Sequence, residues 1–188
     1  GKQYRTRPQL ALEMIQIVAR WLGPRKLRVL GDSEYAGGSI SRHLPANTGL
    51  ISRMTMYAAL YALPPRQTAG RGRRRKKGAR LSNPLQMAQD SRRSWSKASV
   101  WLYGRKVKVW YKSVDALWYS SAGPRLLRIV VVRDPRRRRR DDCFFSTDLT
   151  LKPPQILETF ALRWPLAVCF RDVKQFLGLE DPQNRVSK

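Results

Sequence analysis

The sequence predicts an α/β domain with a β-rich insertion, and three observations predict it. A helix-spaced apolar segment is followed at once by a short apolar strand. The middle of the chain alternates apolar and cationic residues with a period of two, and the end returns to helical spacing behind a pair of prolines. A sandwich or a helical bundle accounts for this order less well.

Thr6-Arg7-Pro8 reads as an N-cap followed by an early-helix proline. Leu10, Met14, Ile17, Val18 and Trp21 then recur at helical spacing until Gly23-Pro24 stops the run. Leu27 to Leu30 is a short strand ending at Gly31-Asp32, and the turn Ser33 to Gly38 leads into a short helix from Ser39 to Leu44. Leu50 to Met54 is a second strand. From Arg66 to Arg80, cations sit among glycines with no apolar residue larger than alanine, so this segment can bury no face and reads as a loop.

Beyond it, Val100 to Tyr103 and Val107/Val109/Tyr111 flank a Gly104-Arg105 turn. With Lys106, Lys108 and Lys112 alternating, they predict a hairpin with one buried and one basic face. Leu126 to Val132 is a strongly apolar strand, a turn carries Arg136 to Arg140, and Cys143 to Thr147 returns as its partner. Pro153-Pro154 opens a helix with Ile156, Leu157 and Phe160 on its apolar side. Pro165 begins a further helix, in which Leu166, Phe170, Val173 and Leu177 line one face up to Gly178.

The 188 residues carry 38 Lys and Arg against 13 Asp and Glu, a formal charge of +25. Such a surplus repels itself unless a polyanion neutralises it; nucleic acid is the usual one, and an anionic membrane surface or acidic partner is the alternative. Cys143 and Cys169 with the single His43 cannot build a disulfide framework or a Cys/His zinc site. Both cysteines read as small buried hydrophobes in a reducing compartment. No apolar run reaches the roughly 18 residues of a bilayer span. The expectation is a soluble protein with no membrane partner.

Asp32 ends a strand beside a glycine-containing turn, where open α/β sheets place functional side chains. A turn-initiating aspartate is equally compatible with that position. In the last helix, Ala167, Arg171 and Lys174 are spaced four and three apart and share a stripe next to the apolar one. That stripe could be only a solvated helix edge.

Taken together, these stretches resemble a known family. Val29-Leu30-Gly31-Asp32-Ser33-Glu34-Tyr35-Ala36-Gly37-Gly38 resembles the second-aspartate motif of bacterial insertion-sequence transposases of the DDE type. The segment from Phe160 to Leu179 is similar to their signature Tyr-x2-Arg-x3-Glu-x6-Lys, here Phe160, Arg163, Ala167 and Lys174 with every spacing kept. The continuation from Glu180 to Arg185 and the long β insertion resemble the family too.

The resemblance implies an RNase H-like, retroviral-integrase-like fold. Residues 1–56 would begin the core, 57–125 would hold the basic loop and β-rich insertion, and 126–188 the remaining insertion strands and C-terminal core helices. It implies Mg2+-dependent cleavage and strand transfer of DNA in transposition and recombination, with two Mg2+ ions held by two Asp and one Glu. Asp32 matches the second ligand. Ala167 occupies the glutamate position, where a methyl group binds no cation, and the first aspartate belongs to a strand upstream of the first helix. Asp172 and Glu158 lie at the wrong helical angle to substitute.

The expectation is therefore an RNase H-like domain lacking its first strands, inactive as it stands, with Mg2+ not tightly bound. Its partner would be DNA at transposon ends, with a homodimer left open for the full-length family and a cytoplasmic, nucleoid-associated location in a bacterium. Arg163, Arg171 and Lys174 would meet phosphates near the site, and Arg73, Arg74, Arg75, Lys76 and Lys77 would touch the DNA backbone without reading sequence. Related transposases stack a displaced base on an aromatic in the insertion, which makes Trp101, Trp110 and Trp118 candidates, although strand tryptophans are usually core residues. A non-catalytic basic nucleic-acid-binding protein is the alternative reading. Without the first-aspartate strand, the edge of Leu27–Leu30 would be open and prone to self-association.

Overall fold

The computed structural model describes residues 4–65 and 74–163. Helix α1 (Arg7–Leu22) starts where expected, with Gln9 Oε1 accepting the backbone N–H of Thr6 at 2.8 Å, and ends at Gly23, whose φ is +58°. Strand β1 (Leu27–Gly31) follows, then a 3-10 turn over Ser33–Ala36 and the short helix α2 (Gly38–Ser41). Strand β2 (Thr48–Arg53) runs parallel to β1, with Gly31 opposite Ser52. The Asn47 amide donates to the carbonyls of Ala19 and Gly23, locking the end of α1 to the start of this pair.

Two-residue strands β3 (Leu60–Tyr61) and β4 (Arg80–Leu81) pair at the two ends of the basic loop. Gly78 is required there, since a Cβ on it would lie 2.3 Å from the Leu63 carbonyl oxygen. Helix α3 (Pro84–Gln89) is capped by Asn83, whose Oδ1 accepts from Gln86 N at 2.8 Å. Strands β5 (Ser96–Leu102) and β6 (Arg105–Leu117) form the hairpin, turning at Tyr103 and Gly104, both at positive φ. A short helix α4 (Tyr119–Ala122) leads to β7 (Leu126–Arg133); the arginine turn follows, then β8 (Asp142–Ser146) and α5 (Pro153–Ala161).

One mixed sheet holds these strands in the order β1-β2-β8-β7-β6-β3-β4, with β5 also on β6. Only β1 and β2 are parallel; every other pair is antiparallel. Each sheet face carries its own core. On one, Leu50, Leu127, Ile129, Val131 and Phe145 pack with Ile40 of α2 and with Ala11, Leu12 and Ile15 of α1. On the other, Ile51, Val100, Val109, Val130 and Phe144 are covered by Ile156, Leu157 and Phe160 of α5. No helix among the described residues is long and apolar enough to cross a membrane.

The mixed α/β architecture and most strand positions agree with expectation, and the differences have physical causes. The α1 stripe of Leu10, Met14, Ile17 and Trp21 is not the side that packs: Met14 is 67% and Trp21 78% exposed, while Ala11, Leu12, Ile15 and Ala19 face the sheet. The helix is apolar over two adjacent faces, and spacing alone does not choose between them. Lys112 was assigned to the basic face of the hairpin, yet it is buried, its Nζ donating to the carbonyls of Met87 at 2.9 Å and Asp90 at 2.6 Å. These are unsatisfied carbonyls at the end of α3, a helix the sequence reading missed because it is one and a half turns long. The helix expected from Pro165 lies outside the described residues.

Candidate functional site

The parallel β1–β2 pair brings two strand ends together, and Asp32 stands immediately beyond one of them. Its half-buried side chain initiates the 3-10 turn: Oδ1 accepts from Glu34 N at 3.1 Å, while the Asp32 carbonyl accepts from Tyr35 N at 3.2 Å. Oδ2 has no hydrogen-bond partner among the described residues. Ser52 Oγ, from the end of β2, donates to the Asp32 carbonyl at 2.6 Å. The residue therefore serves the local turn while keeping one carboxylate oxygen open.

Arg53, next along β2, pairs with Asp142 of β8, its Nε donating to Oδ1 at 3.3 Å. That hydrogen bond raises the guanidinium pKa, against partial burial, with further Coulomb contributions from Asp142, Tyr103 and Asp32. A cation thus sits in the field of Asp32. Asp142 and Tyr103 also border a cavity of about 370 Å3 between the β5–β6 turn, the arginine turn and α5, floored by Val107, Phe144 and Phe160. At its rim Arg105, Lys108, Arg139 and Arg140 have no acidic partner among the described residues, while Asp134 is held by Arg138 and Asp142 by Arg53. The sequence reading missed this surround. The available signal was that β2 ends beside β1, which puts residues 52 and 53 beside residue 32.

Of the other expected site residues, Arg74, Arg75, Lys76 and Lys77 are exposed, and Lys77 Nζ lies 3.9 Å above the Tyr61 ring centre. Arg163 lies 5.4 Å from the Phe160 ring centre, and its Nε is buried without a partner among the described residues. Phe160 packs against Phe144 at 4.7 Å, so its ring serves the core. Ala167, Arg171, Lys174 and Arg73 lie outside the described residues, as do Asp172 and Cys169, and the meeting of Asp32 with Ala167 is not described. Glu158 is engaged elsewhere, its Oε1 accepting the backbone N–H of Trp101 at 2.9 Å. Cys143 is buried, and desolvation pushes its thiol far above the usual range.

The three tryptophans of the insertion have different environments. Trp118 packs edge-on against Phe145 in the core, with ring centres 5.8 Å apart. Trp110 is half-buried with Lys97 Nζ 5.9 Å from its ring, and Trp101 is 60% exposed. On the hairpin face turned away from α5, cross-strand register sets Trp101 opposite Lys106, Ser99 opposite Lys108 and Lys97 opposite Trp110. Two tryptophans therefore share that face with three lysines. A further tryptophan, Trp95, has Arg133 at 4.1 Å and Lys112 at 4.7 Å from its ring centre, and all three pack around the end of α3.

Among the described residues, no group of three His, Cys, Asp or Glu side chains converges in a way that could hold a metal ion. No curated protein and no solved structure matches the chain. A family model described as DDE superfamily endonuclease matches residues 1–114. That match spans α1, the β1–Asp32 turn, β2 and most of the β5–β6 hairpin, and the mixed sheet flanked by helices is consistent with an RNase H-like fold. Covering more than half of the sequence, it establishes that this chain belongs to the DDE superfamily of endonucleases, enzymes that act on DNA and generally depend on divalent metal ions.

Proposed function

We propose that this chain is a transposase-type catalytic domain that retains a DNA-binding surface but does not cleave. The observation that carries the reading is the position of Asp32, with one carboxylate oxygen open at the joined ends of a parallel strand pair, inside the segment that matches the superfamily. Asp32 takes the role of the second acid, and Ala167 takes the glutamate position, where it offers no donor atom. The described donor set does not fit a two-metal site: it supplies one carboxylate oxygen in the field of the Arg53 cation. No catalytic step is assigned to a metal here, and Mg2+ belongs to the intact insertion-sequence enzymes rather than to this donor set.

DNA binding follows from the surface. The charge of +25 is not neutralised internally, and the cations of the basic loop and the cavity rim are open. Arg163, Arg171 and Lys174 would hold phosphates near Asp32, and Arg73 to Lys77 would follow the duplex backbone further out. Trp101, open among lysines, is suited to stack an unpaired base. Residues 1–56 and 126–188 would form the conserved-type core, with 57–125 as the insertion, in a protein that works beside bacterial DNA in the cytoplasm.

The test is anisotropy of labelled transposon-end duplex, random duplex and an RNA hairpin, titrated from about 50 to 200 mM salt. The expected result is tighter binding of duplex DNA, falling steeply with salt, with supercoiled DNA left intact in Mg2+. Nicking by the unaltered chain would overturn the assignment of Ala167. Equal affinity for DNA and RNA, with no preference for DNA ends, would favour a non-catalytic basic nucleic-acid-binding protein.

A further inference from the structure

Two open features lie at the same margin of the sheet. Strand β1 is the last in the strand order, so among the described residues one row of its backbone N–H and C=O groups has no ladder partner. Helix α1 packs on β1 and α2, and α2 packs on α4, so α1 is the outermost helix over the outermost strand. Its unpacked face carries Leu10 at 45%, Met14 at 67%, Ile17 at 38%, Val18 at 36% and Trp21 at 78% exposure. Neighbouring positions of one helix stripe, these five side chains include no charge. Isolated exposed apolar residues need no explanation, but a continuous stripe beside an open strand edge marks a contact surface.

We infer that this margin is a self-complementary interface between two copies of the chain. A two-fold axis normal to the sheet sets β1 antiparallel to the partner's β1 and continues the sheet across the junction. The same axis keeps both copies of α1 on one face, so the two stripes meet over the new strand pair. One operation thus satisfies the backbone edge and covers the stripe. Val29 of β1 already packs on the α1 side, giving the junction an apolar floor. The stripe offers on the order of 600 Å2 per copy, near the roughly 800 Å2 per partner of a standard stable interface. Because each copy uses its edge once, assembly stops at two.

Electrostatics gives this contact a signature opposite to that of DNA binding. Two copies at +25 repel, and added salt screens the repulsion while leaving apolar burial intact. Salt therefore strengthens the dimer but weakens any complex with nucleic acid. The experiment is sedimentation equilibrium of the whole chain without DNA, at low and high salt, beside the Met14→Lys/Trp21→Lys double variant. Both substituted side chains are exposed, and circular dichroism checks that the variant is folded.

The expected result is a closed dimer whose dissociation constant falls as salt rises and increases about tenfold or more in the variant, with DNA affinity unchanged. Mild oxidation of Met14→Cys should crosslink two copies, whereas Gln16→Cys, off the stripe, should not exceed the unsubstituted chain. A monomer at every concentration, a dimer indifferent to the substitutions, association that salt weakens, or open-ended oligomers would each overturn the inference. The DNA reading is measured separately and survives any of these outcomes.

Discussion

Ser52 Oγ donates a 2.6 Å hydrogen bond to the backbone carbonyl of Asp32, joining the ends of two parallel strands through a side chain that is itself fully buried. The bond holds the chain where it leaves β1 and enters the turn that aims the carboxylate. Ser52→Ala removes the donor and leaves the Asp32 carbonyl with Tyr35 N alone. The expected cost is about 1 kcal/mol in urea unfolding, as for a typical buried hydrogen bond. Hydrogen exchange should quicken most at residues 33–36, and a uniform change across the sheet would show that Ser52 serves packing instead.

Lys112 gives a prediction with a definite pH sign. Burial lowers its pKa below 10.5, partly countered by Asp90. The unfolded chain therefore binds more protons than the folded one just below pH 10.5, and stability rises with pH through that window. Lys112→Met removes this rise and deprives the Met87 and Asp90 carbonyls of their shared donor. A loss of about 1–3 kcal/mol near neutral pH is expected, with a flatter profile of Tm against pH on the alkaline side.

The exposures of Trp101 and Trp118 separate binding from stability. Trp101→Ala should leave Tm nearly unchanged and weaken single-stranded DNA by about 1–3 kcal/mol, if a base stacks on the open ring. Trp118→Ala removes the edge-on partner of Phe145 and should cost about 3 kcal/mol of stability. Paired melting and binding measurements decide, and equal effects of the two substitutions on binding would remove the stacking role.

Asp148 governs acid sensitivity at the opposite end of the β1–β2 pair. Hydrogen bonds from the Thr150 hydroxyl at 2.6 Å and Thr150 N at 3.0 Å, with the charges of Lys26 and Arg28, hold its carboxyl below 3.8. A depressed carboxylate contributes stability above its unfolded pKa and loses it as pH falls through the folded value. Asp148→Asn should therefore be less stable than the parent at neutral pH and should lose less on acidification below pH 3.8, read from urea midpoints across that range.

How much of this was legible beforehand varies element by element. The early strand, its Gly31-Asp32 end, the long hairpin and the helix behind Pro153-Pro154 were readable because each carries a local signature of period, cap or turn. The helix α1 was readable, but its packed side was not. Leu10 and Met14 are as apolar as Leu12 and Ile15, and only the positions of β1 and α2 decide which pair is covered. The site divides in the same way: Asp32 was legible from its place after a strand, whereas Ser52, Arg53 and Asp142 were not.

By itself, the sequence determined the class of fold, a polyanion-seeking surface and the candidate acid, because charge, periodicity and motif spacing are local properties that survive without a third dimension. Tertiary structure alone decided that β1 and β2 run parallel, that Lys112 is buried against α3, and that Trp101 is open while Trp118 is not. It also decided that one apolar face of α1 meets no partner within the described fold. These outcomes depend on contacts between residues tens of positions apart, as Ser52 is from Asp32 and Lys112 from Met87, and no local pattern encodes which distant neighbour arrives.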